Sequence, residues 1–252
     1  MITKNIIINA DDCGMSTNVD ACIGEAILLG KITSTTIMAN MYDFEGAVRL
    51  YREYHNEVSF GWHINLDEGT PLTESQLLLD IGFFTLVDGK LLLNGRSFGK
   101  KYLNKHVRNE IRRELRAQYE KIRDHGIDIT HVDSHHYIHT QPSMILVIPS
   151  LLNELGIKKC RRVANYGVSG LRAMAKDFCA TYYKFHGLTM PDTFCSFREY
   201  LSNCNMKQGN TIELMIHPGH PKEEYALEYK SMMDIDYGEV WPQAKMISYK
   251  EL

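Results

Sequence analysis

Ile6 to Ala10 is a short, largely β-branched apolar run that stops at Asp11 and Asp12, and residues 18 to 29 then carry apolar positions at helical spacing until Gly30 breaks the pattern. One strand followed by one helix is the unit this implies. It recurs, with Ser34 to Met38 reading as a strand, Phe44 to Tyr54 as a helix and Val58 to His63 as a third apolar strand. The clearest helix spans 105 to 125, where Val107, Ile111, Leu115, Tyr119 and Ile122 share one face, charges occupy the other and Gly126 closes the element. Ile127 to Val132 follows as a strand. Ser143 to Leu155 is helical in pattern but contains Pro149, which lacks an N–H donor and marks either a kink or the first turn of a shorter helix. Arg162 to Ala164, Ile212 to Ile216 and Met246 to Tyr249 complete the expected strands.

Alternating strands and helices imply a mainly parallel sheet, either closed or open. The polar clusters choose between these, because Asp11/Asp12, His63, Asp133/His135 and His217 each stand at or just past the C-terminal end of a different strand. A barrel gathers its reactive groups there, whereas an open sheet uses fewer strands around one switch point. The expected fold is therefore α/β, a single-domain (β/α) barrel of the TIM-barrel kind over residues 1–252, a length that suits one large core. Residues 64 to 104 form a long insertion containing Ile81, Phe83 and Phe84. Such insertions often serve as lids or subunit contacts, which makes a homodimer compatible with the chain.

Composition adds exclusions. With 44% hydrophobic and 23% charged residues the chain is ordinary for a globular protein, and a formal net charge of −3 gives no attraction for nucleic acid or an anionic membrane. A small neutral partner fits better. The N-terminal apolar run is too short for a signal peptide and no run approaches a membrane span. Cys13, Cys22, Cys160, Cys179, Cys195 and Cys204 are scattered, so reduced thiols in a cytoplasmic protein are expected.

Asn9-Ala10-Asp11-Asp12-Cys13-Gly14 puts two carboxylates together where the first strand ends, and a divalent cation on one would relieve their repulsion while the other stays free as a base. A turn whose acid caps the next helix explains the pair equally well. His63, alone, is most simply a hydrogen-bonded structural residue. His131-Val132-Asp133-Ser134-His135-His136-Tyr137-Ile138-His139 is more specific: imidazole is the commonest protein ligand for divalent metals, and Asp133 can orient a ligating ring. Its alternative is a solvated loop, although such loops are usually richer in Gly, Ser or Lys. His217-Pro218-Gly219 follows another strand, in a turn that either aims His217 into a pocket or merely packs it. His55, His106, His125 and His186 lie on or near helices and read as structural or solvated.

These clusters, in this order, resemble the YdjC/ChbG family of carbohydrate deacetylases, which remove acetyl groups from N-acetylated sugars such as chitooligosaccharides. The resemblance runs through Asn9-Ala10-Asp11-Asp12-Cys13-Gly14, Thr33-Ser34-Thr35-Thr36, His63 with Glu68-Gly69-Thr70-Pro71-Leu72, Thr130-His131-Val132-Asp133-Ser134-His135-His136 and Glu213-Leu214-Met215-Ile216-His217-Pro218-Gly219. It implies a distorted (β/α) barrel and one divalent metal held by Asp12, His63 and His135. The family often has Phe at the place of Cys13 and His at that of Tyr137; neither is a ligand position, but both shape the pocket.

On this resemblance the chain is expected to be a metal-dependent hydrolase of linear amide C–N bonds, taking a small N-acetylated saccharide and releasing acetate. Asp11 would be the general base, and His217 either the proton donor to the amine or the stabiliser of the oxyanion, helped by Asn or backbone N–H groups at the strand ends. The resemblance implies Mg2+, while a carboxylate with two imidazoles also suits Zn2+. Arg161 or Arg162 would contact sugar hydroxyls or a phosphate, or else lie at the surface. Two rivals stand: a metallo-phosphoesterase with paired metals, and an N-acetyl-sugar-binding protein without turnover, for which Asp11 would be superfluous.

Overall fold

The computed structural model describes residues 4–202 and 209–252 of the chain; Cys204 lies outside the described residues. Strands β1 (Lys4–Cys13), β2 (Ser34–Ile37) and β3 (Ser59–Ile64) are joined by helices α1 (Thr17–Leu28) and α2 (Phe44–Tyr54). The insertion follows, with α3 (Gln76–Asp80) and an antiparallel hairpin of β4 (Phe84–Val87) and β5 (Lys90–Leu93), before α4 (Lys105–Asp124) leads to β6 (Val132–Ser134). Then come α5 (Ile148–Glu154), α6 (Gly170–Phe185), β7 (Thr193–Ser196), α7 (Phe197–Ser202), β8 (Thr211–Ile216), α8 (Glu223–Asp234), α9 (Tyr237–Val240) and β9 (Ala244–Met246).

The main sheet is parallel, in the order β6-β3-β2-β1-β8-β7, with β9 added along the first residues of β1. Strands covered on both faces should be apolar throughout, and Ile6, Ile7 and Ile8 of β1 and Ile212 and Leu214 of β8 are all buried. Past β6, Lys159–Cys160 bridges Val132 on one side and Thr189 on the other, and Thr189 leads into β7. The two edges are thus laced together, and the expected distorted barrel is the fold observed. The strand expected at Arg162 to Ala164 is instead this pair of bridges slightly upstream, because the chain pairs only where it crosses the gap. Of the two possibilities at Pro149 the second holds, since the proline lies in the first turn of the short α5.

Three helices end the same way. The Nδ1 atoms of His55, His125 and His186 approach the carbonyls of Tyr51, Lys121 and Tyr182, one turn back, at 3.1, 2.7 and 2.9 Å. These rings lie against carbonyls of the last helical turn, two of which also accept a backbone N–H, and this is the structural role expected of them. The insertion packs on the barrel: Leu78, Phe83, Phe84, Leu93 and Phe98 belong to its main core. Its hairpin turns at Asp88-Gly89, with φ of 49° and 75°, a left-handed pair suited to a two-residue turn. Among the described residues the cysteines are free, and no helix is long and apolar enough to cross a membrane.

Beneath the end of β1, Asp20 of α1 accepts the Gly14 N–H at 2.7 Å while its other oxygen crowds the carboxylate of Asp43, both lying where a Cβ on Gly46 would be only 2.5 Å away. Burial, and then repulsion from Asp43, push the Asp20 carboxyl up to about 7 despite the Gly14 bond. A raised carboxyl favours the fold below its ordinary pKa and loses that contribution as pH rises through the folded value. Asp20→Asn, which mimics the protonated form, is expected to raise stability at pH 8 by about 1–2 kcal/mol and to give almost none at pH 4. Urea unfolding at both pH values checks this, and an equal effect at the two would contradict it.

Candidate active site

Adjacent residues on a regular strand point to opposite faces, so Asp11 and Asp12 can share a pocket only if β1 is irregular. It is. Ala10 pairs with Thr35 and Cys13 with Ile37, so two residues of β1 stand opposite one of β2, and Asp12 takes a left-handed backbone with φ of 69°. Thr36, facing this bulge, donates through Oγ1 to Asp133 Oδ2 at 3.1 Å.

His63 ends β3, and Asp133 is its registered neighbour on β6. His63 Nδ1 lies 2.7 Å from Asp133 Oδ1, which turns Nε2 toward Asp12 Oδ1 at 3.2 Å. His135 follows β6 and brings Nδ1 within 3.0 Å of the same Asp12 oxygen. The three buried side chains offer ligand atoms that all lie within 4.8 Å of one another. Asp12 Oδ2 and His63 Nε2 are buried without a hydrogen-bond partner, an unfavourable state unless something else engages them. The 3.0 and 3.2 Å separations also match two ligands set at right angles about 2.1 Å from one cation. By both criteria the donor set fits a divalent ion.

Asp11 faces a different partner. Arg161, fully buried, clamps it through Nη1 to Oδ2 and Nη2 to Oδ1, each at 2.6 Å, and Asn9 Nδ2 donates to Oδ1 at 2.8 Å. The same guanidinium reaches Asp133 Oδ2 at 2.9 Å and, through Nε, Glu213 Oε1 at 2.7 Å. Tyr249 donates to the other Glu213 oxygen at 2.5 Å. Arg161 is therefore neither a sugar contact nor a surface residue; Arg162 pairs with the exposed Asp177. Burial resists the ionisation of Asp11, but Arg161 overrides it and holds that carboxyl below the usual range.

Asp11, Asp12, Asp133 and Glu213 are buried around one buried arginine, so acidic charge is in excess. Burial acts against the imidazolium forms, yet Asp133 and Asp12 push His63 up to about 10, and the nearby carboxylates of Asp12 and Glu68 push His135 up to about 9. Burial pushes Glu213 up to about 7 although Arg161 opposes it. Two imidazolium protons, or one dication, supply the same compensating charge.

The rest of the histidine-rich run disperses. His131 stacks on Tyr249 with ring centres 3.6 Å apart, and burial depresses its pKa well below the ordinary value. His136 pairs with Asp67 at 2.6 Å, and His139 lies 2.5 Å from Ser134 Oγ, with burial pushing it down to about 3. His217 reaches the pocket from the end of β8, stacked on Tyr225 at 4.2 Å with Nδ1 unpartnered, and burial lowers its pKa. Its turn needs Gly219, where φ is 68° and a Cβ would meet Asn18 O at 2.7 Å. Of the Asn side chains at the strand ends, Asn9 is engaged with Asp11 and Asn65 with the loop after β3.

Asp11, Asp12, His63, His135, Tyr137, Met215 and His217 line a cavity of about 60 Å³. That is room for on the order of two waters at about 30 Å³ each, the scale of a small polar group. A larger hollow of about 290 Å³ lies at the other end of β1, among Lys4, Ile6, Tyr200 and Trp241, and among the described residues its lining holds no carboxylate or imidazole. Sequence reasoning missed Glu213 and Tyr249; the available signal was an acid inside the apolar run of β8. Replacing Arg161 by Met leaves Asp11, Asp133 and Glu213 without their shared cation and is expected to cost about 3–5 kcal/mol in denaturant unfolding. A loss below about 1 kcal/mol, the scale of an exposed ion pair, would contradict the clamp.

The model of the family described as YdjC-like protein matches residues 5–248. A carbohydrate deacetylase of Geobacillus stearothermophilus is 33% identical over 216 residues, covering 85% of this chain and 79% of that one. A chitooligosaccharide deacetylase of Yersinia pestis is 28% identical over 219 residues, covering 85% and 81%. Among solved structures, an Enterococcus faecalis protein named for cellobiose-phosphate cleavage superposes with a TM-score of 0.78 at 20% identity over 99% of this chain and 98% of that one, a likeness of fold. The chain belongs to the YdjC-like family.

Proposed function

We propose that the chain, working as one domain, is a metal-dependent carbohydrate N-deacetylase that hydrolyses the acetamide of an N-acetylglucosamine-containing saccharide such as a chitooligosaccharide and releases acetate. The observation that carries this is the meeting of Asp12, His63 and His135 beside a separately clamped Asp11, in one small cavity. The names of the relatives, carbohydrate and chitooligosaccharide deacetylases, support the substrate class.

Asp12, His63 and His135 would hold the ion, Mg2+ on the family resemblance and Zn2+ on ligand type. When bound, a divalent cation there supplies Lewis acidity toward the acetyl oxygen and lowers the pKa of water. Asp11, kept ionised and fixed in direction by Arg161, takes a proton from the attacking water as its oxygen bonds to the acetyl carbon. The C–N bond then breaks, and the proton passes from Asp11 to the departing amine. His217 is held neutral by burial, which favours the second of its two expected roles, a ring N–H donating to the developing oxyanion.

The phosphoesterase alternative needs paired cations, but the two neighbouring groups each share a histidine with the first: Glu68, His135 and His136 share His135, and Asp11, His63 and Asp133 share His63 and already hold Arg161. Asp11→Asn is expected to keep bound cation while acetate release from N-acetylated chitooligosaccharides falls roughly 10²–10⁴-fold. His63→Ala and His135→Ala should lose the cation as well, as measured by metal content after desalting. Normal turnover by Asp11→Asn would refute its role as base, and phosphate release in place of acetate would favour the alternative.

A further inference from the structure

The loop after β3 is held far more firmly than its exposure requires. Buried Asn65 accepts the N–H groups of Asp67 and Glu68 at 3.1 Å each and donates to the Glu68 carbonyl at 2.7 Å. Asn40 donates to the Glu68 and Thr70 carbonyls at 3.1 and 3.2 Å and is itself bonded to Asn65. Behind them, buried Glu114 of α4 accepts the N–H groups of Leu72 and Thr73, and Gln118 donates to the Asn65 carbonyl at 2.7 Å. The outcome is a register of two acids against two histidines. Asp67 Oδ2 meets His136 Nδ1 at 2.6 Å, and Glu68 Oε1 lies 3.4 Å from His135 Nε2.

That second contact matters because His135 already turns Nδ1 to Asp12, while its buried Nε2 has no hydrogen-bond partner. His63 provides the comparison: one nitrogen on Asp12, the other on the carboxylate of Asp133. We propose that Glu68 is a positioning residue for His135, accepting a hydrogen bond from its Nε2–H so that the Nδ1 lone pair faces the cation site beside Asp12 and the loop after β3 completes that site. The two ring nitrogens point away from each other, so a carboxylate on the Nε2 side cannot bind the ion shared with Asp12. The assignment extends to His135 what Asp133 does for His63, since an imidazole that ligates through one nitrogen is oriented by an acceptor on the other. It rests on the reading that Asp12, His63 and His135 hold a divalent cation.

The test titrates Co2+ into chelator-treated protein, with visible absorption as the readout and thermal unfolding of the metal-free chain as control. Glu68→Gln keeps the side-chain shape and every backbone bond of the loop but loses the carboxylate. Its Co2+ affinity is expected to fall about tenfold, with an altered absorption spectrum and an unchanged metal-free unfolding midpoint. Glu68→Asp should restore part of the affinity, and Asp67→Asn should bind as wild type. Wild-type affinity and spectrum in Glu68→Gln would overturn the assignment and leave the cation site standing, whereas a wild-type chain that binds no Co2+ would overturn both. A second Co2+ per wild-type chain, lost in Glu68→Gln, would make Glu68 a ligand and overturn its positioning role. A metal-free midpoint that drops along with the affinity would also overturn it.

Discussion

One buried guanidinium organises the end of this barrel where the acids and histidines meet. Arg161 cannot lose its proton, and its fork of donors is divided among Asp11, Asp133 and Glu213, carboxylates from β1, β6 and β8. Three acids that would repel one another in a low-dielectric interior are thereby held as one unit. Direction is fixed along with charge: the bidentate bond sets the plane of Asp11, the bond to Asp133 leaves that residue's other oxygen for His63, and Glu213 ties the group to Tyr249 near the C-terminus. The stack of Tyr249 on His131 shows why a second histidine in the rich run is a packing element.

This unit separates the roles of two neighbouring acids. Asp11 is bound to a permanent cation of the protein and stays ionised, while Asp12 has imidazoles for neighbours and a free oxygen. The bulge at the end of β1 makes the separation possible, since a regular strand would send one acid away from the pocket. On the proposed reading, Asp12 then belongs to the ion and Asp11 to the water, and the pinned loop after β3 supplies the remaining orientation for His135.

Much of this was legible in the chain. The helix at 105–125, the strand ends bearing Asp11/Asp12, His63, Asp133/His135 and His217, and the barrel they imply all rest on local periodicity and on the habit of barrels to place polar groups at one end. What was hidden depends on contacts distant in sequence. Nothing local distinguishes Arg161 from Arg162, though one is the centre of the site and the other lies near the surface. Nothing local tells His135 from His131 or His139. The helix at Gly170–Phe185 was obscured for another reason: Leu171, Met174, Phe178 and Phe185 face solvent, whereas Cys179, Ala180 and Tyr183 are buried, so its apolar pattern misstates its inner face. The hairpin at β4 and β5 carried a readable signal in Asp88-Gly89 that the surrounding insertion masked.

On the proposed reading, Arg161 and a divalent cation divide the two adjacent acids between them. Diffraction from Mn2+-loaded crystals, collected at the manganese absorption edge, tests it most directly. One anomalous peak is expected among Asp12, His63 and His135, with Asp11 still bidentate on Arg161. A peak elsewhere, or an Asp11 that has left Arg161 to ligate the ion, would contradict it.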